Sequence, residues 1–356
     1  MDKVVVGMSG GVDSAVAAYL LKQAGYDVIG ITLRVWQGED GNDGRCCDID
    51  DARSVANKLK IPYYPINCIS DFKKCVVEPF VNGYLCGLTP NPCIECNRFV
   101  KWEKLLYYAN VVGAKYVATG HYASVVKTTD GRYTLKKAMH TEKDQTYMLY
   151  KLTQEQLSRT LMPLGNLSKK EVRKIAENID ISLSQKKDSQ EVCFVTEGSY
   201  ADYITKTISP KYSSGLIVDE NGNILGKHKG IMHYTIGQRK GLGISTGYPI
   251  YVKEICSDEN KIVVGNEQSL YSRKLICKDI NFMSISELNN NDKISCFVKV
   301  RYRHTAQPAH IEPTNDNLLQ IEFEEPIRAA TPGQSAVFYN GDGCVIGGGI
   351  ISKVLK

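Results

Sequence analysis

The feature that most constrains this chain is the string Ser9-Gly10-Gly11-Val12-Asp13-Ser14, set between an apolar run, Lys3 to Met8, and a helical pattern, Ala15 to Ala24. Two glycines let the backbone turn tightly and bring its N–H groups close to an anion. Ser9 and Ser14 add hydroxyl donors, and a helix starting near Ser14 aims its positive end at the same point. The string is therefore a phosphate cradle. It is not a Walker loop, because no Gly-Lys-Ser/Thr follows, and it is not a Gly-x-Gly-x-x-Gly dinucleotide fingerprint.

Around the cradle the chain has two textures. Up to about residue 200, apolar runs alternate with helical patterns: strands at Val28 to Val35 and Tyr63 to Ile66, a helix at Asp51 to Lys60, an amphipathic stretch at Phe99 to Val112, and a strand ending at Val117-Ala118. Strand and helix alternating at this spacing predict a parallel sheet covered on both faces, an α/β domain. After about residue 210, turns such as Asn221-Gly222 punctuate short apolar runs. Leu216 to Val218, Ile250 to Ile255, Lys261 to Val264, Ser295 to Arg301, Leu318 to Phe323 and Ala336 to Tyr339 read as strands of hairpins. This predicts a small connecting domain followed by a β-barrel, with divisions at residues 1–205, 206–273 and 274–356.

Composition narrows the setting. The 356 residues are 43% apolar and 23% charged, a globular balance, and the net charge of +5 permits nucleic-acid binding without requiring it. The opening run Val4-Val5-Val6 is too short for a signal peptide, and no stretch approaches the ~18 apolar residues of a membrane span, so a cytoplasmic protein is expected. Twelve cysteines in that compartment are expected to be reduced thiols rather than staples, so any special ones serve catalysis, redox chemistry or metals.

The string Ser9 to Ser14 resembles the pyrophosphate loop of the PP-loop ATP pyrophosphatases, which cleave ATP between the α and β phosphates to adenylate a carbonyl oxygen. Further segments are similar to the bacterial tRNA-specific 2-thiouridylases: Asn91-Pro92-Cys93-Ile94-Glu95-Cys96-Asn97, Ala118 to Ala123, Lys143 to Tyr147, Lys187 to Phe194, His233 to Gly241 and Arg301-Tyr302-Arg303. The match runs in order along almost the whole chain. The resemblance implies ATP-dependent 2-thiolation of the tRNA wobble uridine, with ATP held by Gly7, Met8, Ser9, Gly10, Gly11, Val12, Asp13, Ser14, Leu33 and Gly120. Asp13 would work with Mg²⁺, since a carboxylate otherwise repels phosphate. Asn91, Pro92, Cys93, Lys143, Asp144, Gln145, Arg301 and Tyr302 would meet the tRNA. Arg and Tyr suit that task because they hold phosphates and stack on unpaired bases. A sulfur-donor protein, a cysteine desulfurase or a relay protein, is the other implied partner.

Replacing the C2 oxygen of uracil needs a leaving group, supplied by adenylation, and a nucleophilic sulfur. A cysteine persulfide supplies the sulfur and a second thiol resolves it, so two thiols must be able to meet. By resemblance Cys193 carries the persulfide and Cys96 resolves it. The remaining cysteines Cys46, Cys47, Cys68, Cys75, Cys86, Cys256, Cys277, Cys296 and Cys344 are expected to be buried, inert thiols. One departure stands out: many thiouridylases have an acidic residue where this chain has Cys93. Cys93 is then either a spectator or, with Cys96 and Cys193, a ligand of a 4Fe–4S cluster whose fourth iron carries sulfide; a lone Cys-x-x-Cys is weak ground for a metal, and the persulfide route is preferred. Two other classes stay open. A PP-loop synthetase acting on a small molecule would leave the cysteine pair and the β-rich half without a task. A non-catalytic RNA-binding module would leave the intact loop without one. His121 is expected to be a hydrogen-bonded histidine and not an acid or base.

Overall fold

The structure is a computed structural model that describes residues 1–38, 47–179, 192–195, 198–207, 214–290, 292–314 and 317–355. Expectations on Cys46 and on Lys187 to Glu191 lie outside the described residues.

The first part of the chain runs β1 (Lys3–Gly7), α1 (Val12–Gln23), β2 (Asp27–Arg34), α2 (Ile49–Leu59), β3 (Tyr63–Asn67), α3 (Ile69–Phe72), α4 (Glu78–Leu85), α5 (Pro92–Cys96), α6 (Trp102–Val111), β4 (Tyr116–Ala118), β5 (Ala123–Lys127), β6 (Tyr133–Lys137), α7 (Gln154–Ser158), β7 (Thr160–Leu161), α8 (Lys169–Asn178) and α9 (Tyr200–Thr207). Among the described residues β3-β2-β1-β4-β7 form one parallel sheet. Its central strand is apolar without alternation because both faces are covered. Val4 and Val6 face α1, α2 and α8, while Val5 faces α6. Strand order reverses at β1, with β2 on one side and β4 on the other. In open parallel sheets the crevice beyond the strand ends at such a reversal is where ligands bind, and both the Ser9–Ser14 loop and Gly120 leave the sheet there.

The β-rich part contains β8 (Gly215–Val218), β9 (Ile224–His228), β10 (Tyr251–Cys256) and β11 (Lys261–Gly265), sheet order β10-β11-β8-β9. A closed barrel follows, β12 (Tyr271–Phe282), β13 (Ile294–Lys299), β14 (Gln307–Pro313), β15 (Leu319–Arg328), β16 (Ser335–Tyr339) and β17 (Val345–Leu355), in the order β12-β15-β14-β13-β16-β17. The sequence reading found the α/β domain, the small sheet and the barrel. It did not resolve the long β12, nor β14, β17 and the β5–β6 hairpin, whose residues are mostly polar or broken by glycine. The expected breaks at 205/206 and 273/274 fall a few residues inside α9 and β12.

The barrel is not a detached module. Met283, Val337, Tyr339 and Val345 share one buried core with Val5, Trp102, Leu105 and Tyr147 of the first domain. Polar ties reinforce it: Tyr147 donates to Ser335 O (2.9 Å), Asn281 to Tyr150 O (2.6 Å) and Arg132 to Met283 O (3.0 Å). The Tyr147–Ser335 bond is buried, so these groups must keep each other as partners, and with the two part-buried bonds it fixes the barrel over one edge of the crevice.

Candidate active site

Helix α1 begins at Val12, three residues before the expected start, with Gly11 as its N-cap and no side-chain cap. Asp13 therefore lies in the first helical turn. Ser14 is buried and works as an internal tie: its hydroxyl accepts from Ser9 N–H (3.1 Å) and donates to Gly11 O (3.0 Å). Gly10 adopts φ +72°, and a Cβ there would lie 2.4 Å from Asp48 O, so only glycine fits under the Asp48 backbone. Gly120 is required for a related reason. A Cβ on it would come within 2.7 Å of the Asp13 and Ser14 backbone, so this strand end rests directly on the start of α1.

Asp13 is held from two sides. Lys169 Nζ, at the start of α8, lies 2.7 and 2.8 Å from its two carboxylate oxygens, and Tyr122 OH donates to Oδ1 at 2.7 Å. Tyr122 is in turn gripped by Gln145, whose Oε1 accepts from Tyr122 N–H (2.9 Å) and whose N–H donates to Tyr122 O (3.0 Å). The segment expected to meet RNA is thus two hydrogen-bonded steps from the loop. Sequence reasoning did not single out Lys169 or Tyr122.

The loop opens into a cavity of about 1720 Å³. Every residue of 7–14 lines it, with Leu33, Gly120, Asn91, Pro92, Cys93, Cys96, Lys143, Asp144, Gln145, Cys193 and Tyr302. Asn91 is the N-cap of α5 and accepts from Cys93 N–H (3.1 Å), and Pro92 takes the first helical position, the residue types that start a helix. Cys93 and Cys96, three residues apart, share a face. Cys93 is exposed at the rim and Cys96 is buried. A π-helical turn, Asn97–Lys101, follows Cys96 directly; such turns are frequent at functional sites. Asn97 Nδ2 donates to Met148 O (2.9 Å) and Lys151 pairs with Glu95 (2.6 Å), which clamps α5 onto the 143–151 segment.

Cys193 is positioned by its neighbour. Phe194 is 1% exposed and packs against Trp36, Phe72, Phe80 and Tyr203, ring centroids 5.3 to 5.9 Å away. Cys96 belongs to the same apolar cluster, and Cys193 packs against it. Phe194→Ala should cost about 3–5 kcal/mol, the usual range for emptying a fully buried aromatic site. Denaturant unfolding checks it, and an unshifted midpoint would mean that the ring anchors nothing.

Arg301 does not line the cavity. Its guanidinium donates to Ile236 O (3.2 Å), Ala329 O (2.5 Å) and the Thr331 hydroxyl, which joins the small sheet domain to the barrel. These bonds all come from Nη2, while Nε is buried with no hydrogen-bond partner among the described residues, so the side chain lies in the seam between the two domains. Asp144 is likewise engaged internally: buried, it accepts from Ala138 N–H (3.1 Å) and Thr146 Oγ1 (2.7 Å). His121 bonds Thr119 Oγ1 through Nδ1 (2.8 Å), and burial, helped by the charge of Lys101, pushes its pKa down to about 3. It is neutral at pH 7.

Of the thiols expected to be inert, Cys47, Cys68, Cys277 and Cys296 are buried, and burial raises Cys68 to about 11 and Cys296 to about 12. Cys75 on a π-helical turn, Cys256 at the end of β10 and Cys344 just before β17 are half-buried, and Cys86 at the C-cap of α4 is exposed. Cys47 also lines the cavity. Among the described residues no three His, Cys, Asp or Glu side chains converge as metal ligands. Cys93, Cys96 and Cys193 are thus not gathered as a ligand set in this structure. Mg²⁺ arriving with ATP needs only one or two carboxylates beside the phosphates, and Asp13 fits that task. No described helix is long and apolar enough to cross a membrane.

Comparison with known proteins decides the family. The tRNA-specific 2-thiouridylase MnmA of Lachnoclostridium phytofermentans is 52% identical over 99% of this chain and 100% of that protein, and its namesake in Clostridioides difficile is 50% identical over 99% of each. This chain belongs to the tRNA-specific 2-thiouridylase family. Three family models cover it: "tRNA methyl transferase HUP domain" at residues 2–197, "tRNA methyl transferase PRC-barrel domain" at 201–266 and "Aminomethyltransferase beta-barrel domain" at 272–351. Their methyl-transferase wording is less specific than the name of the full-length relatives. The chain is accordingly an enzyme, a tRNA-uridine 2-sulfurtransferase built on an ATP-using fold. Among solved structures, the U34-tRNA thiolase NcsA from Methanococcus maripaludis with its 4Fe–4S cluster is 20% identical, covers 55% of this chain and 61% of that one, and has a TM-score of 0.36. That likeness is too distant to bear on the site.

Proposed function

We propose that the enzyme thiolates C2 of the tRNA wobble uridine by adenylating the C2 oxygen and delivering sulfur from a persulfide on Cys193. The observation supporting this is that the phosphate loop, Cys96 and Cys193 line one cavity. The uridine C2 oxygen attacks the α-phosphorus of ATP held at the Ser9–Ser14 loop, and pyrophosphate leaves. Loop N–H groups and the positive end of α1 take the growing charge. The terminal sulfur of the Cys193 persulfide then bonds to C2, and AMP departs with the C2 oxygen. The Cys96 thiolate attacks Cys193 Sγ, and the bond from Sγ to the transferred sulfur breaks. Its electron pair stays on that sulfur and gives the 2-thio group. A Cys96–Cys193 disulfide remains, which a dithiol reductant must open before a sulfur-donor protein reloads Cys193.

The test is incubation of the protein with tRNA, ATP, Mg²⁺ and a persulfide donor, followed by mass spectrometry of the nucleosides. 2-Thiouridine at the wobble position is expected. Its absence, together with ATP consumption that ignores tRNA, would overturn the proposal in favour of a small-molecule synthetase.

A further inference from the structure

Two lysines from different domains share the cavity. Lys137, at the end of β6, and Lys299, at the end of β13, both line the cavity. Lys137 Nζ lies 4.1 Å from the Tyr339 ring centroid, and Lys299 Nζ sits 5.4 Å from that of Tyr302 and 5.9 Å from that of Tyr147. Desolvation lowers the Lys299 pKa; Asp144 opposes this and Lys137 adds to it. Asp144 is itself buried and bonded to Ala138 and Thr146, so it is a fixed counter-charge that cannot turn to either ammonium. Lys299 pairs in the barrel with Val337, two residues from the Tyr339 whose ring carries Lys137, so the two ammonium groups share one aromatic patch, half out of water, and are costly there unless an anion comes to them.

We propose that Lys137 and Lys299 form a composite seat for one phosphate of the tRNA strand that carries the target uridine. This rests on the tRNA reading above. The phosphates of ATP already have the Ser9–Ser14 loop, whereas the barrel contributes Lys299 together with Tyr302, a ring on which an unpaired base can stack beside the seated phosphate. The seat exists only while the barrel is docked, so the same packing that fixes the barrel completes the RNA site.

The experiment is filter binding of unmodified tRNA transcript to the full chain across a range of KCl, for wild type, Lys137→Met, Lys299→Met and Lys299→Arg. ATP binding without RNA is measured alongside by calorimetry. Each Met variant should lose roughly five- to tenfold in tRNA affinity, with a salt slope shallower by about one, while ATP affinity is unchanged. Lys299→Arg should regain most of the loss, which separates charge from packing. Unchanged affinity and slope in both Met variants would overturn the seat and leave the enzyme's function standing. Loss of ATP affinity with tRNA binding intact would equally overturn it, giving the lysines to the nucleotide. A wild-type protein that binds no tRNA would instead fail the functional reading beneath it.

Discussion

Asp13→Asn should abolish tRNA-dependent AMP and pyrophosphate release, by about 10²–10³-fold or more, while tRNA binding survives. The carboxylate is the charged group in the first turn of α1, facing the cavity where the loop holds phosphate. Asparagine keeps its shape and its bond from Tyr122 but removes the charge that Lys169 neutralises and that a phosphate-bound Mg²⁺ would need. Lys169→Met gives the matching result from the other side. It frees Asp13 from its cation, so it should raise KM for ATP more than it lowers kcat. The measurement is AMP release at saturating tRNA with ATP varied. Normal release by Asp13→Asn would take the loop's carboxylate out of the chemistry.

Cys96→Ser and Cys193→Ser should each bring 2-thiouridine formation to background, whereas Cys93→Ser should keep much of it. The placement of the three thiols motivates the asymmetry. Cys96 is buried in the cluster against which Cys193 packs, while Cys93 stands exposed at the rim. After a single turnover, trapping should yield a Cys96–Cys193 disulfide, identified by peptide mass spectrometry. Forming it requires the sulfurs to approach ~2.05 Å, so the turn that carries Cys193 must shift about its Phe194 anchor. A brown anaerobic preparation with roughly four irons per chain, losing colour and activity in Cys93→Ser, would reverse the assignment in favour of a cluster.

What the sequence determined by itself was local. The Ser9–Ser14 loop and the change from α/β to hairpin texture follow from glycine torsions and the period of short apolar runs, which neighbours along the chain suffice to set, whereas the short helix α5 carrying Cys93 and Cys96 formed no part of the sequence reading. Even there the helix begins at Val12 rather than Ala15, with Gly11 at the N-cap, and Ser14 inside the first turn ties the loop from within. Only the tertiary structure decided which side chains reach the site. Lys169 meets Asp13 across 156 positions of sequence, Tyr147 ties to Ser335 across 188, and Lys137 and Lys299 line one cavity from two domains. None of these pairings leaves a periodic or motif signature, since each depends on how sheets and barrel stack. Arg301 makes the same point in reverse. Its sequence context suits a phosphate, yet packing turns its Nη2 onto Ile236 and Ala329, because carbonyls buried between two domains must find donors.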